Sequence, residues 1–151
     1  TGLGYNLSPN NNNLLLGYAF ILSEPYDAAG KEKTRIDEHR IYQQFITRQH
    51  FGRVYLQHRY RFEQRFFKDD FKTRFRYFIG VNVPVNQSTL EKNALYLSVY
   101  NEVFINGQKT AFDRNRIYGA LGYSLTDLIR VELGAMSQIL QSASRAQFQI
   151  V

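Results

Sequence analysis

Arginine and glutamate side chains recur at alternate positions through this chain, and their types and spacing could do chemistry. Arg59, Arg61 and Arg65 alternate around Glu63 in HRYRFEQRFF, Arg74 and Arg76 in RFRYFIG, and Arg114 and Arg116 in FDRNRIYG. Glu38 with Arg40, Glu102, and Arg130 with Glu132 extend the set. Guanidinium groups pair with carboxylates through a planar two-pronged fork, and they hold free anions the same way. Two roles follow. The groups can neutralise one another in a rigid lattice, or, because arginines outnumber carboxylates, they can line a path or site for small anions.

Other chemistries have less to stand on. Nucleophilic catalysis needs a nucleophile, a base and an orienting group that meet in space. The histidines are His39, His50 and His58, and no serine is paired with one of them by a recognisable motif. His58 shares the parity of apolar neighbours, His39 stands between Glu38 and Arg40, and His50 lies near an expected turn. Ser98, on the charged parity, reads as a packing residue. No catalytic residue is expected, and the chain reads as a non-enzyme. Asp69 and Asp70 suit a turn, Asp113 is isolated, and cysteine is absent. Neither a metal nor a cofactor is expected.

The net charge of +6 raises nucleic acid as a partner. A stacking platform needs rings and cations on one face. Parity instead sets Tyr60, Phe62 and Phe66 against Arg59, Arg61 and Arg65, so no nucleic-acid partner is expected.

The elements that must position these residues repeat with period 2. In Phe51 to Phe67 the odd positions are mostly charged and the even ones mostly apolar or aromatic. The alternation continues in FKTRFRYFIGVNVP, KNALYLSVYNEVFIN, FDRNRIYGALGYSL and DLIRVELGAMSQIL. Turn residues separate the runs in SPNNNN, EPYDAAGKEK, KDD, PVNQST, INGQKT, Thr126–Asp127 and QSAS. The reading is all-β, with about nine strands centred near Tyr5, Gly17, Ile41, Arg59, Arg76, Val99, Tyr118, Val131 and Phe148. Short connections make them an antiparallel up-and-down meander.

Mean hydropathy is negative, and no stretch approaches the roughly 18 to 20 apolar residues of a spanning helix. A transmembrane barrel escapes that objection, because lipid-facing and lumen-facing residues alternate. Three features favour such a barrel over a soluble one with an apolar interior. The strands are long, the polar faces use Arg, Glu, Gln and Tyr, and the apolar faces carry rings such as Phe66, Phe71 and Tyr123. Tyr60 and Phe62 are expected among these rings near strand ends.

Glu38, Arg40, Arg59, Arg61, Glu63, Arg65, Arg74, Arg76, Glu102, Arg114, Arg116, Arg130 and Glu132 are then expected as a lumen ionic network. Val54, Leu56, Tyr60, Phe62, Phe75, Tyr77, Ile79, Val81, Leu95, Leu97, Val99, Ile117, Leu121, Ile129, Val131 and Leu133 are expected to face lipid. Single-chain bacterial barrels have even strand numbers, so the full barrel is expected to hold ten or twelve strands. The missing ones are expected before Thr1, with a few residues beyond Val151. EPYDAAGKEK, the longest loop, is expected outside the cell.

The runs HRYRFEQRFF, RFRYFIGVNVP, YNEVFIN, FDRNRIYGALGY and VELGAM occur in this order, preceded by GLGYNLS and DEHRIYQQ. Together they resemble a Bacteroidota family of outer-membrane β-barrels catalogued only as a domain of unknown function. The resemblance covers nearly the whole chain. It implies a Gram-negative outer-membrane address and an upstream signal peptide, and it offers no catalytic residues. The expected partners are outer-membrane lipid, lipopolysaccharide and other outer-membrane proteins. The expected role is a structural or accessory subunit, with a narrow channel for small anions or a soluble ligand-binding barrel as alternatives.

Overall fold

Runs of alternating residues, dense in Tyr, Phe, Val and Ile, favour extended backbone because branched and aromatic side chains pack well on a pleated surface. The computed structural model describes residues 1–9, 11–26, 31–108, 110–141 and 143–151. The strands are β1 (Gly2–Ser8), β2 (Asn12–Ser23), β3 (Ile36–Phe51), β4 (Val54–Phe66), β5 (Phe71–Pro84), β6 (Leu95–Asn106), β7 (Phe112–Ser124), β8 (Arg130–Leu140) and β9 (Ser144–Ile150). They form one nine-stranded sheet in sequence order. Every neighbouring pair is antiparallel. The up-and-down meander read from the sequence is therefore present. The sheet stays open, with β1 and β9 as its edges.

β3, at 16 residues, and β5, at 14, far exceed the five or six typical of soluble sheets. The run from Phe51 to Phe67 is not one strand, however. Phe51 pairs with Val54 across a two-residue turn at Gly52–Arg53. Gly52 has φ of 57°, at the first central position, where a type II′ hairpin needs glycine. Among the other expected turns, positions 10, 27–30, 109 and 142 lie outside the described residues, including the middle of EPYDAAGKEK.

The strands are staggered. One line of register partners runs Leu14, Phe45, Tyr60, Tyr77, Val103, Asn115, Ile139. It begins near the start of β2 and finishes near the end of β8, at opposite ends of the sheet. A sheet that slips steadily along its strands in this way has the shear that tilts strands in a barrel.

The buried face is the charged one. Glu63 is 0% exposed and Glu102 3%, whereas Leu97 and Val99 on the opposite face are 50% and 53% exposed. The segment between β5 and β6 folds over the charged face. Leu90 donates its N–H to Tyr55 Oη on β4 at 3.3 Å and accepts Arg130 Nη2 from β8 at 3.0 Å. β4 and β8 would stand roughly 19 Å apart in a flat sheet, so one residue joining them marks a curl toward the charged side. Asn93, with φ of 66°, closes this loop, donating its backbone N–H to Ser124 O at 2.7 Å.

Candidate functional site

Antiparallel register brings Glu63 opposite Tyr42 on β3 and Arg74 on β5. Its Oε2 accepts Arg74 Nη2 at 2.6 Å and Nε at 2.8 Å, and its Oε1 accepts Arg76 Nη1 at 3.0 Å. Arg40 and Arg61 stand at 3.6 and 3.8 Å. A carboxylate with no exposed surface is tolerated because cations and hydrogen bonds replace the water it loses.

Glu102 on β6 does the same two strands away. It accepts Arg59 Nη2 at 2.7 Å and Arg76 Nη2 at 2.6 Å, with Arg116 at 3.8 Å. Arg76 thus joins the two carboxylates. At the far side, Glu38 receives Arg65 through both oxygens at 2.8 Å and Arg40 Nε at 2.7 Å. Glu38, Glu63 and Glu102 thus hold arginines in an ion-paired lattice that runs from β3 to β7.

Three expectations need correction. Among the described residues, the hydrogen-bond donors to Glu132 are not arginines but Tyr96 Oη and Tyr118 Oη, each at 3.0 Å. Arg130 binds the carbonyl of Leu90 instead of a carboxylate. Asp113 is not isolated, for it lies 3.3 Å from both Arg74 Nη1 and Arg114 Nε. The physical reason is a register break in β6–β7, where Phe104 pairs with Arg114 but Ile105 with Phe112. The extra residue, Asp113, turns toward the charged face, as bulged residues do.

Rings interleave with this lattice, which alternation alone did not single out. Phe104, 2% exposed, lies beneath the guanidinium carbons of Arg76, Arg116, Arg74 and Arg114 at 4.5, 4.9, 5.4 and 5.7 Å. Such contacts attract a cation to the negative face of a ring. Arg61 stands 4.5 Å from the Tyr42 ring, hydrogen-bonds Gln44 through Nε at 2.9 Å and reaches the same amide through Nη2. Tyr42 and Tyr96 cover their cross-strand partners Gly17 and Gly122. A Cβ on either glycine would come within 2.2 Å of the covering ring.

The residues expected to face lipid lie on the opposite side from the lattice, and none of them is buried. Ile129 precedes β8, in the turn. Tyr60 and Phe62 sit in the interior of β4, not near its end. Tyr60 stacks on Phe45 with ring centroids 6.3 Å apart and meets Tyr77 at a tilt with centroids 5.0 Å apart. His39 and His58 are on this face too, bonded to Tyr18 Oη at 2.6 Å and Tyr77 Oη at 2.8 Å. His50 stacks on Tyr55 at 4.2 Å. The three histidines stand apart from one another, each against a tyrosine. In the turn before β5, Asp70 accepts Lys72 at 2.9 Å, and that hydrogen bond holds its carboxyl below the usual range.

A family model described as Protein of unknown function (DUF2490) matches residues 1–149. The chain belongs to this family. No curated protein and no solved structure matches it. In this DUF2490 chain, then, the organising feature is a pair of buried glutamates, Glu63 and Glu102, that gather arginines from β3, β4, β5 and β7, with Phe104 beneath those of β5 and β7. That arrangement links strands across one face of the sheet and leaves arginines in excess of carboxylates there.

Proposed function

We propose that the chain forms the wall of an outer-membrane β-barrel with a filled interior, acting without catalysis as a structural or accessory subunit of a larger outer-membrane assembly. One observation carries the reading: the charged face is buried and the apolar face is exposed. In water that orientation leaves Leu16, Phe75, Leu97, Leu121 and Leu133 uncovered, a continuous apolar surface of the kind that marks a membrane or a partner. In a bilayer it is the favourable arrangement. A soluble carrier with an apolar interior would bury the other face.

The filled interior is supported by the long side chains meeting over Glu63 and Glu102 and by the Leu90 loop that covers one end. Lipid and lipopolysaccharide would contact the apolar face, and other outer-membrane proteins would dock on that face or on the loops.

The absence of cysteine allows clean single-site labelling. Nitroxides placed at Phe75, Leu97 and Leu121 of the full-length protein in bilayers should be relaxed by oxygen and shielded from a water-soluble nickel chelate. Free access of the chelate to all three would overturn the membrane orientation. Co-purification of the tagged protein with envelope complexes tests the accessory role; a protein always monomeric, whose deletion leaves those complexes unchanged, would contradict it. A second reading, a narrow path for small anions, rests on the arginine excess and would be refuted by silence in planar-bilayer conductance.

A further inference from the structure

We propose that the charged face carries a binding site for a phosphate-bearing anion at the end of the sheet where β5 and β7 begin. The inference goes beyond the barrel-wall reading and holds for a sheet in or out of a membrane.

A cavity of about 580 Å³ opens there, lined by Arg65 of β4, Lys72 and Arg74 of β5, Asn106 of β6, and Asp113 and Arg114 of β7. That volume falls within the range of small-molecule sites. Four of the lining residues are cationic and Asp113 alone is acidic.

The cations are held in place by contacts that leave part of their donor capacity unused. Arg65 spends Nε and Nη2 on Glu38. Arg74 directs Nε and Nη2 at Glu63 and Nη1 at Asp113. Arg114 reaches Asp113 through Nε and Nη2 at 3.3 and 3.4 Å. Among the described residues, Arg65 Nη1, Arg114 Nη1 and the protons of Lys72 not given to Asp70 are the donors left over. Two guanidinium Nη1 groups, each held by a fork already spent on a carboxylate, and one ammonium point charge make a charged donor set that phosphate oxygens accept.

The wall is built as well. Gly107 donates its N–H to Thr73 O at 2.9 Å, and Gln108 Nε2 donates to Phe71 O at 3.2 Å, drawing the β6–β7 turn back over the start of β5. The bulge that turns Asp113 inward sits in this wall. Bulges recur beside functional sites because they re-aim one side chain without disturbing the rest of the ladder. Here the re-aimed carboxylate fixes two arginines at once.

Inorganic pyrophosphate is the probe, titrated calorimetrically into the full-length protein in a non-ionic detergent. The variants are Lys72→Gln combined with Arg114→Gln, and Arg48→Gln at the opposite end as control. Pyrophosphate should bind the wild type, bind the double variant at least tenfold more weakly, and bind Arg48→Gln as well as the wild type. Native mass spectrometry of the same samples separates two sources of the phosphate. A co-purified phosphorylated lipid that pyrophosphate displaces identifies a lipid head group; pyrophosphate binding with no such lipid identifies a soluble phosphate ester. Absence of both, or equal affinity in the double variant with its fold intact by circular dichroism, would overturn the site. Neither result bears on the nitroxide accessibilities that test the membrane orientation.

Discussion

Glu63 and Arg74 face each other directly across β4 and β5, joined by two hydrogen bonds to the same oxygen at 2.6 and 2.8 Å, with 0% and 8% of their side-chain surfaces exposed. Removing one member of such a pair leaves the other charged and out of water. Glu63→Gln keeps the shape but strips the counter-charge from Arg74 and Arg76. It should destabilise the sheet by about 3 to 5 kcal/mol, read as an earlier midpoint in urea unfolding. A midpoint within experimental error of the wild type would mean that the arginines find other anions.

Phe104 makes a second kind of demand on the same arginines. Phe104→Leu keeps most of the apolar volume and loses the ring face. With four guanidinium groups against it, and about 0.5 to 1 kcal/mol for each contact of this kind, a loss of roughly 2 to 4 kcal/mol is expected. Phe104→Tyr, which retains the face, should lose less if the added hydroxyl is accommodated. Equal losses in the two variants would assign Phe104 a volume-filling role only.

Tyr96 and Gly122 test the ring-over-glycine arrangement. Gly122→Ala places a methyl group 2.2 Å from Tyr96 Cζ, and the ring must move off its bond to Glu132. Overpacking of this kind costs about 1 to 3 kcal/mol. Combined with Tyr96→Leu, the alanine should cost distinctly less than it does alone, because the clash has gone. Strict additivity in the double-mutant cycle would rule the clash out.

The Leu90 loop should open independently of the sheet. It is tied to the charged face by the hydrogen bonds of Leu90 with Tyr55 and Arg130 and by the burial of Leu90 and Ala94, and to the end of β7 and the turn after it by the bonds of Lys92 to Asp127 and Asn93 to Ser124. Leu90→Asp should speed amide exchange in residues 85–94 while leaving β4 and β5 protected, as local opening does. Faster exchange throughout the sheet would show that the loop holds the whole structure.

On the apolar face the sensitive direction reverses. Val99→Arg, at a position 53% exposed near the centre of β6, would be nearly silent on a solvated surface. In a bilayer it should cost about 2 to 4 kcal/mol, the penalty for arginine at the membrane midplane. Refolding titrations into lipid vesicles distinguish the two.

Most of the fold was legible because one signal, alternation with period 2, runs through almost every strand. The expected centres at Tyr5, Arg59, Arg76 and Val131 all fall inside observed strands. The side of the sheet each arginine occupies follows from the same parity. What parity could not reveal is what the next strand places opposite. Glu132 looked like a partner for arginine, but register sets it across from Gly122, and the space above that glycine is filled by the Tyr96 ring, whose hydroxyl takes the carboxylate. Asp113 shares the limitation: a one-residue bulge is invisible to alternation, and it alone turns an apparently isolated aspartate toward Arg74. The turn at Gly52 was readable, since glycine between Phe51 and Arg53 breaks the run, but the alternation on either side masked it.

The distribution of the arginines over strands also bears on the order of assembly. Glu63 draws its cations from β3, β4 and β5, and Glu102 draws its own from β4, β5 and β7. Each of those carboxylates therefore depends on strands beyond any single hairpin. A hairpin such as β4–β5 that entered an apolar medium ahead of its neighbours would bring Arg59, Arg61, Arg65, Arg74 and Arg76 with Glu63 as the one carboxylate within its two strands, Asp69 and Asp70 lying in the turn. In such a medium the cost of a half-built intermediate would favour strands that arrive together, with charge as the timekeeper of assembly.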